Sequence, residues 1–197
     1  MGDSDQKTAG PITRALEGMR HGEPGAADEA CRLLYDELHR IARLQMRGRT
    51  AGGTLQPTAL VHETYLRISA GSTEFQDRQH YLATAARAMR GILVDFARRR
   101  GSLKRGGGRA RITLDEALQG GVDPVAEILA VNEALDLLAR VDERQAQVVE
   151  LRYFAGLSVP ETAEAMGVSE RKVQRLWSMA RAWLLRFMSQ RDASFRR

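Results

Sequence analysis

The sequence predicts an all-α protein, built from two small helical domains that are joined by a flexible basic linker. Apolar residues recur at helical spacing along most of the chain. No long stretch alternates with the period of two that is typical of strands. The helical pattern fails in one glycine- and arginine-rich stretch, which separates a predicted domain at residues 10–100 from another at 123–190. Residues 101–122 form the predicted linker, since this stretch is poor in apolar residues.

The first domain is expected to hold a short helix over 11–20, which ends before the break Glu23-Pro24-Gly25. A long amphipathic helix should follow over about 26–48, because its leucines and isoleucine fall on one stripe. Pro57 suits the first turn of a third helix that reaches about Ser69. The fourth helix is expected over 77–100.

The second domain is expected to begin at Asp123-Pro124, which has the form of a helix cap followed by a first-turn proline. The apolar pattern predicts one helix to about residue 139 and another over 142–154. Gly156 ends the second of these. Two further helices follow in the stretch 157–185.

The stretch 157–185 is the most informative part of the chain, because each of its helices has its own start signal. Ser158 and Glu161 have capping-box spacing, Gly167 suits a turn with positive φ, and Ser169 suits the cap of the second helix. These signals predict a helix-turn-helix, in which the second helix enters a DNA major groove. A plain helical hairpin within a bundle is the alternative.

Polar side chains in the first turns of the second helix are the candidate DNA readers. Arginine can bond guanine through two hydrogen bonds, glutamine can read adenine, and lysine can hold phosphate. The candidate set is Ser169, Arg171, Lys172, Gln174 and Arg175. The opposite face is expected to pack on the preceding helices through Val173, Leu176, Ala180 and Leu184.

The charge distribution also favours a nucleic-acid partner. The 30 lysines and arginines exceed the 25 acids, giving a net charge of +5, and the block 98–111 contains basic residues without an acid. A polyanion partner is one interpretation of this block, and a solvated linker is the other. The fourth helix interleaves aromatics with arginines, which fits either single-stranded DNA binding or an ordinary amphipathic helix.

Several classes of function are disfavoured. Cys31 is the only cysteine, so no intramolecular disulfide can form, and the histidines lack zinc-site spacing. No carboxylate cluster, nucleophile–base order or phosphate loop indicates an enzyme. No apolar run reaches the roughly 20 residues that span a bilayer, and the polar N-terminus lacks a signal-peptide core. We therefore expect a cytoplasmic protein without membrane insertion, metal, cofactor or catalytic activity.

The chain resembles bacterial RNA polymerase sigma factors of the extracytoplasmic-function (ECF) group, within the sigma-70 family. Residues 141–185 look like sigma domain 4, LVHETYLRI at 60–68 looks like region 2.2, and YLATAARAMRGILVDFARRR at 81–100 looks like regions 2.3 and 2.4. The helix-turn-helix alone is shared with other regulators, but the three segments together are specific. The resemblance implies a sigma factor that binds core RNA polymerase, reads the −10 and −35 promoter elements and assists promoter melting.

The resemblance also implies partners for the first domain. The region 2.2 helix would dock on the coiled coil of the polymerase β′ subunit, through Leu60, Val61, His62, Glu63 and Arg67. Ala59 stands where the family usually has an acid, and His62 replaces its glutamine. The apolar pattern of this helix by itself indicates ordinary packing, with docking as the lesser interpretation.

Regions 2.3 and 2.4 would hold flipped bases of the melted −10 element. The implied readers are Tyr81, Arg87, Arg90, Asp95 and Arg98, of which Asp95 and Arg98 match the family's D-x-x-R pattern. Domain 4 would read the −35 element in duplex DNA and sit on the polymerase β flap. An anti-sigma factor or another regulator is a candidate further partner.

One competing hypothesis is a free-standing helix-turn-helix regulator, in which residues 10–100 serve oligomerisation or sensing. Palindromic footprints that do not need polymerase would favour it. The other competing hypothesis is a nucleic-acid-processing enzyme, which a nuclease assay with divalent metal tests.

Overall fold

A computed structural model describes residues 10–46, 55–71, 75–105 and 124–195. Within these ranges the chain is helical and contains no strand, which confirms the predicted all-α class. The first half holds α1 (Pro11–Arg20), α2 (Ala26–Leu33), α3 (Tyr35–Met46), α4 (Pro57–Ser69) and α5 (Arg78–Arg105). The second half holds α6 (Pro124–Val141), α7 (Glu143–Val149), a π-helical segment (Glu150–Phe154), α8 (Val159–Met166) and α9 (Glu170–Phe195).

In the first half, the helices differ from the sequence-based expectation in two places. The long second helix is interrupted at Leu34, where φ is −106° and ψ is 10°. The Leu34 side chain is fully buried, so α2 and α3 turn around a core residue that the apolar stripe could not distinguish from its neighbours. Helix α5 continues to Arg105, into the predicted linker. The rest of that linker, 106–122, lies outside the described residues.

Large buried side chains from α1, α3, α4 and α5 form the core of the first half. The largest fully buried side chains of the first half are Leu16, Leu34, Leu38, Ile41, Leu60, Phe75, Tyr81, Leu82 and Met89. The Phe75 and Tyr81 rings meet edge to face with centroids 5.0 Å apart. Burial raises the pKa of the Tyr81 hydroxyl, consistent with its place in this apolar layer.

A smaller cluster holds the last helices together. Val148, Ala163, Val173 and Leu176 are buried against one another. Val173, Leu176 and Ala180 therefore face inward, as predicted for the non-reading side of α9. The Arg152 guanidinium lies over the Trp177 ring, 5.5 Å from its centroid, so this tryptophan packs within the second half.

The two halves pack against each other in this conformation. Buried residues of α3 and α5 belong to one apolar cluster with residues of α6, α7 and the π-helical segment. The Gln45 side chain, 2% exposed, donates to the Ala86 carbonyl oxygen at 3.0 Å and to the Phe154 carbonyl oxygen at 3.4 Å. The two-domain division remains a prediction about folding units, because here the halves share one core.

Candidate nucleic-acid interface

The start of α8 carries the predicted capping box. The Ser158 backbone N–H and hydroxyl both donate to Glu161 Oε2, at 2.8 and 2.7 Å, and Ser158 Oγ accepts from the Glu161 N–H at 3.4 Å. These bonds satisfy backbone donors that a helix start leaves open. The hydrogen bonds from Ser158 hold the pKa of the Glu161 carboxyl below its usual range, and the bond from the Ser158 backbone N–H contributes most.

The turn between α8 and α9 depends on Gly167, which has φ 61° and ψ 37°. The Val168 N–H donates across the turn to the Ala163 carbonyl oxygen at 3.0 Å. A Cβ on Gly167 would meet nothing within 4 Å, so left-handed backbone rather than crowding favours glycine here. Ser169 then accepts from the Lys172 N–H at 3.4 Å and starts α9. The helix-turn-helix predicted from the sequence is thus present in outline.

The candidate −35 readers lie on the free side of α9. Arg171, Gln174 and Arg175 are exposed and Lys172 is half-buried, while Val173 on the other side has no exposed surface. The side chains that can reach base edges are therefore separated from those that anchor the helix. An N-terminal first turn with arginines can approach phosphates and bases together.

Helix α4 divides the candidate docking residues into two groups. Leu60 and Val61 are 0% and 3% exposed, so their side chains pack in the core and are not available to a partner in this conformation. His62, Glu63 and Arg67 are exposed. The sequence reasoning overlooked Leu66, whose side chain is 48% exposed beside them. Its position three residues after Glu63, on the same helix side, was the available signal.

The candidate −10 readers on α5 do not form one open surface. Tyr81 is 1% exposed and belongs to the core, whereas Arg98 is exposed. Asp95 Oδ2 lies 3.2 Å from Nη2 of Arg67, so a candidate −10 residue is paired with a candidate docking residue.

Arg87 and Arg90 are also paired, because both contact Glu150 of the other half. Glu150 Oε2 accepts from Arg87 Nε at 2.8 Å, and Glu150 Oε1 accepts from Arg90 Nη2 at 2.8 Å. No sequence pattern indicated this arrangement, since Glu150 lies 63 residues after Arg87 and 60 residues after Arg90, beyond the predicted linker.

Metal-binding clusters and membrane-spanning helices are both absent from the part of the chain that the structure describes. No group of three or more histidine, cysteine, aspartate or glutamate side chains there could hold a metal ion. None of the helices in those ranges combines the length and apolar character needed to cross a membrane.

The comparisons with known proteins agree with the motifs in these helices. A family model described as "ECF sigma factor" matches residues 9–190. The ECF RNA polymerase sigma factor BldN of Streptomyces coelicolor is 30% identical over 179 residues, which cover 89% of this chain and 66% of that protein. This chain therefore spans slightly less than two thirds of the length of that relative. Because the family match covers nearly the whole sequence, the chain belongs to the ECF sigma factor family.

Proposed function

We propose that this protein is a dissociable specificity subunit of bacterial RNA polymerase. It binds the core enzyme, directs initiation to promoters with particular −10 and −35 elements, and assists promoter melting. The chemistry of RNA synthesis belongs to the core enzyme, and this chain supplies recognition. Membership of the ECF sigma factor family supports the general role.

The exposed side of α9 is the observation that carries the proposal. Arg171, Gln174 and Arg175 stand free at the start of a helix whose other side is buried. A good bidentate contact between a side chain and a base is worth roughly 1–3 kcal/mol of discrimination. Two or three such contacts are enough to select a short duplex sequence, which is the task of a −35 reader.

The exposed side of α4 supports docking on the core enzyme through the β′ coiled coil. Glu63 and Arg67 provide charges of both signs, and Leu66 adds exposed apolar surface beside them. His62 can donate or accept a hydrogen bond in place of the family's usual glutamine. Leu60 and Val61 contribute indirectly, because their burial fixes the orientation of the helix.

The arginines of α5 are proposed to hold the melted −10 strand. Extruding a base costs a few kcal/mol, which pocket contacts must offset. Arg98 is already exposed, while Arg87, Arg90 and Asp95 must first leave their present partners. Tyr81 supports the helix from the core rather than stacking on a base in this conformation.

Association with the core enzyme tests the proposal. Purified protein and core RNA polymerase are mixed and separated by gel filtration, and co-elution in stoichiometric amounts is expected. Glu63→Lys should weaken co-elution, because reversing a charge at a complementary interface places like charges together. Glu143→Lys is the matched control, since it reverses an exposed acid on α7, away from α4. Equal co-elution of the Glu63 variant and the wild type would contradict the proposed docking face.

A further inference from the structure

Glu150 joins the two halves of the molecule by two ion pairs, of which the pair with Arg90 is largely withdrawn from water. Its carboxylate contacts Arg87 Nη2 at 2.7 Å and Arg90 Nη2 at 2.8 Å. The side chains of Glu150 and Arg90 are each 16% exposed, whereas Arg87 is 62% exposed. Breaking such a pair on one side costs more than breaking a surface pair, because it leaves a poorly solvated charge.

The Arg90 guanidinium is enclosed by the second half from more than one direction. Its Nη1 donates to Oδ1 of Asn132 on α6 and lies 4.0 Å from Oδ1 of Asp136. The same guanidinium lies over the Phe154 ring, 5.9 Å from its centroid. Helix α6 and the π-helical segment therefore form a pocket for this one side chain of α5.

Polar contacts at the start of α5 hold the same closed arrangement. Arg78 donates to Glu37 at 2.8 Å within its own half and to Glu161 of α8 at 3.4 Å. Gln79 Nε2 donates to Glu164 Oε2, also on α8, at 3.0 Å. The helix-turn-helix is thus tied to α5 through its first helix, and the reading side of its second helix stays exposed.

The closed arrangement covers one candidate surface and leaves the others open. Arg87 and Arg90 are engaged by the second half. Arg171 and Arg175 on α9 are exposed, as is Glu63 on the docking side of α4. The contacts between the halves therefore engage Arg87 and Arg90, while Arg98 and the other candidate interfaces stay exposed.

We propose that Glu150 acts as an intramolecular latch, whose carboxylate occupies the α5 arginines that would otherwise engage the anionic backbone of single-stranded DNA. The free protein is then closed, with its duplex-reading helix and polymerase-docking side accessible and with Arg87 and Arg90 held by Glu150. Opening the latch exposes these arginines to the melted strand. The identity of that strand as promoter DNA rests on the proposed function, whereas the latch itself rests on the contacts between the halves.

The test replaces Glu150 with its neutral isostere in the full chain. Glu150→Gln retains the shape of the side chain but removes the charge that holds both arginines. Glu29→Gln is the matched control, because Glu29 also accepts two hydrogen bonds from one arginine, at 2.9 and 2.7 Å from Arg32, but within α2. The radius of gyration is measured by small-angle X-ray scattering, and affinity is measured by anisotropy with a fluorescein-labelled single-stranded DNA of mixed sequence.

The wild type and the Glu29 variant should share a compact radius, about 16 Å for a chain of this length, and the same weak DNA affinity. Glu150→Gln should increase the radius by several ångström and strengthen single-strand binding several-fold. An unchanged radius would overturn the latch, and a larger radius without stronger binding would overturn the masking of the arginines. Circular dichroism checks that each variant is folded.

A second variant keeps the test decisive if Glu150→Gln unfolds. Asn132→Ala removes the α6 acceptor of Arg90 while leaving the carboxylate in place, so a smaller change in the same direction is expected. A wild-type radius and affinity for this variant would then overturn the latch. If the wild type fails to co-elute with core polymerase, the proposed function fails, while the scattering result still decides whether Glu150 closes the molecule.

Discussion

Gly167→Ala isolates the contribution of backbone conformation to the helix-turn-helix. Gly167 has φ 61°, and a Cβ there would meet nothing within 4 Å, so the substitution introduces no steric clash. An L-residue in this region costs about 1–2 kcal/mol. Alanine also restricts the unfolded chain more than glycine does, and this smaller loss of conformational entropy on folding offsets about 0.4–1 kcal/mol of the cost. The expected net loss is about 1 kcal/mol, or a fall in Tm of about 2–4 °C for a protein of this size.

Urea and thermal unfolding followed by circular dichroism measure this loss. Gly167→Asn is the control at the same position, because asparagine enters the left-handed region more readily than alanine and should lose less stability. Wild-type stability of the alanine variant would refute the reasoning. Equal losses for alanine and asparagine would also refute it, since they would mean that something other than φ sets the cost.

Three further predictions follow from the same structure. Arg175→Ala should lower initiation at a −35-dependent promoter by roughly tenfold or more in run-off transcription, with stability unchanged. Arg181→Ala, an exposed arginine later in α9, should have little effect on initiation. Ser158→Ala should cost about 1 kcal/mol in urea unfolding at neutral pH. The lowered pKa of Glu161 adds stability that is present above the ordinary carboxyl pKa and is lost as the pH falls through the lowered value. Because Ser158→Ala removes part of the cause of this shift, the variant should lose less stability than the wild type on acidification from about pH 5 to 3. Leu138→Ala, at a position with 0% exposure, should lower the free energy of unfolding by about 2–5 kcal/mol in the same assay. A loss near zero would contradict this, because it would mean that the core closes around the missing side chain.

The elements that the sequence predicted well depend on short-range signals. The capping box needs only Ser158 and Glu161, and the turn needs only Gly167, so both can be read within one helical turn of sequence. The inward side of α9 was likewise predictable, because Val173 and Leu176 recur at helical spacing. These features are local, and tertiary packing strengthens them without changing them.

The features that sequence reasoning missed depend on which helix surfaces meet. The apolar pattern of α4 favoured packing for Leu60 and Val61, but family resemblance placed them among the docking residues, and the structure buries both. Tyr81 is buried for the same kind of reason, since the ring that covers it belongs to Phe75, which precedes α5 and is not part of its helical pattern. The approach of Glu150 to α5 has no local signature, because it arises only when the two halves pack together.

The central claim is that this protein gives core RNA polymerase promoter specificity. The most direct measurement is transcription by purified core enzyme on fragmented genomic DNA of the source organism, with and without this protein, followed by sequencing of transcript 5′ ends. The account predicts a limited set of start sites that require the protein and share two upstream sequence elements at −35 and −10. Tight binding to DNA fragments without core association, and no transcripts beyond those of core alone, would contradict it and favour a free-standing regulator.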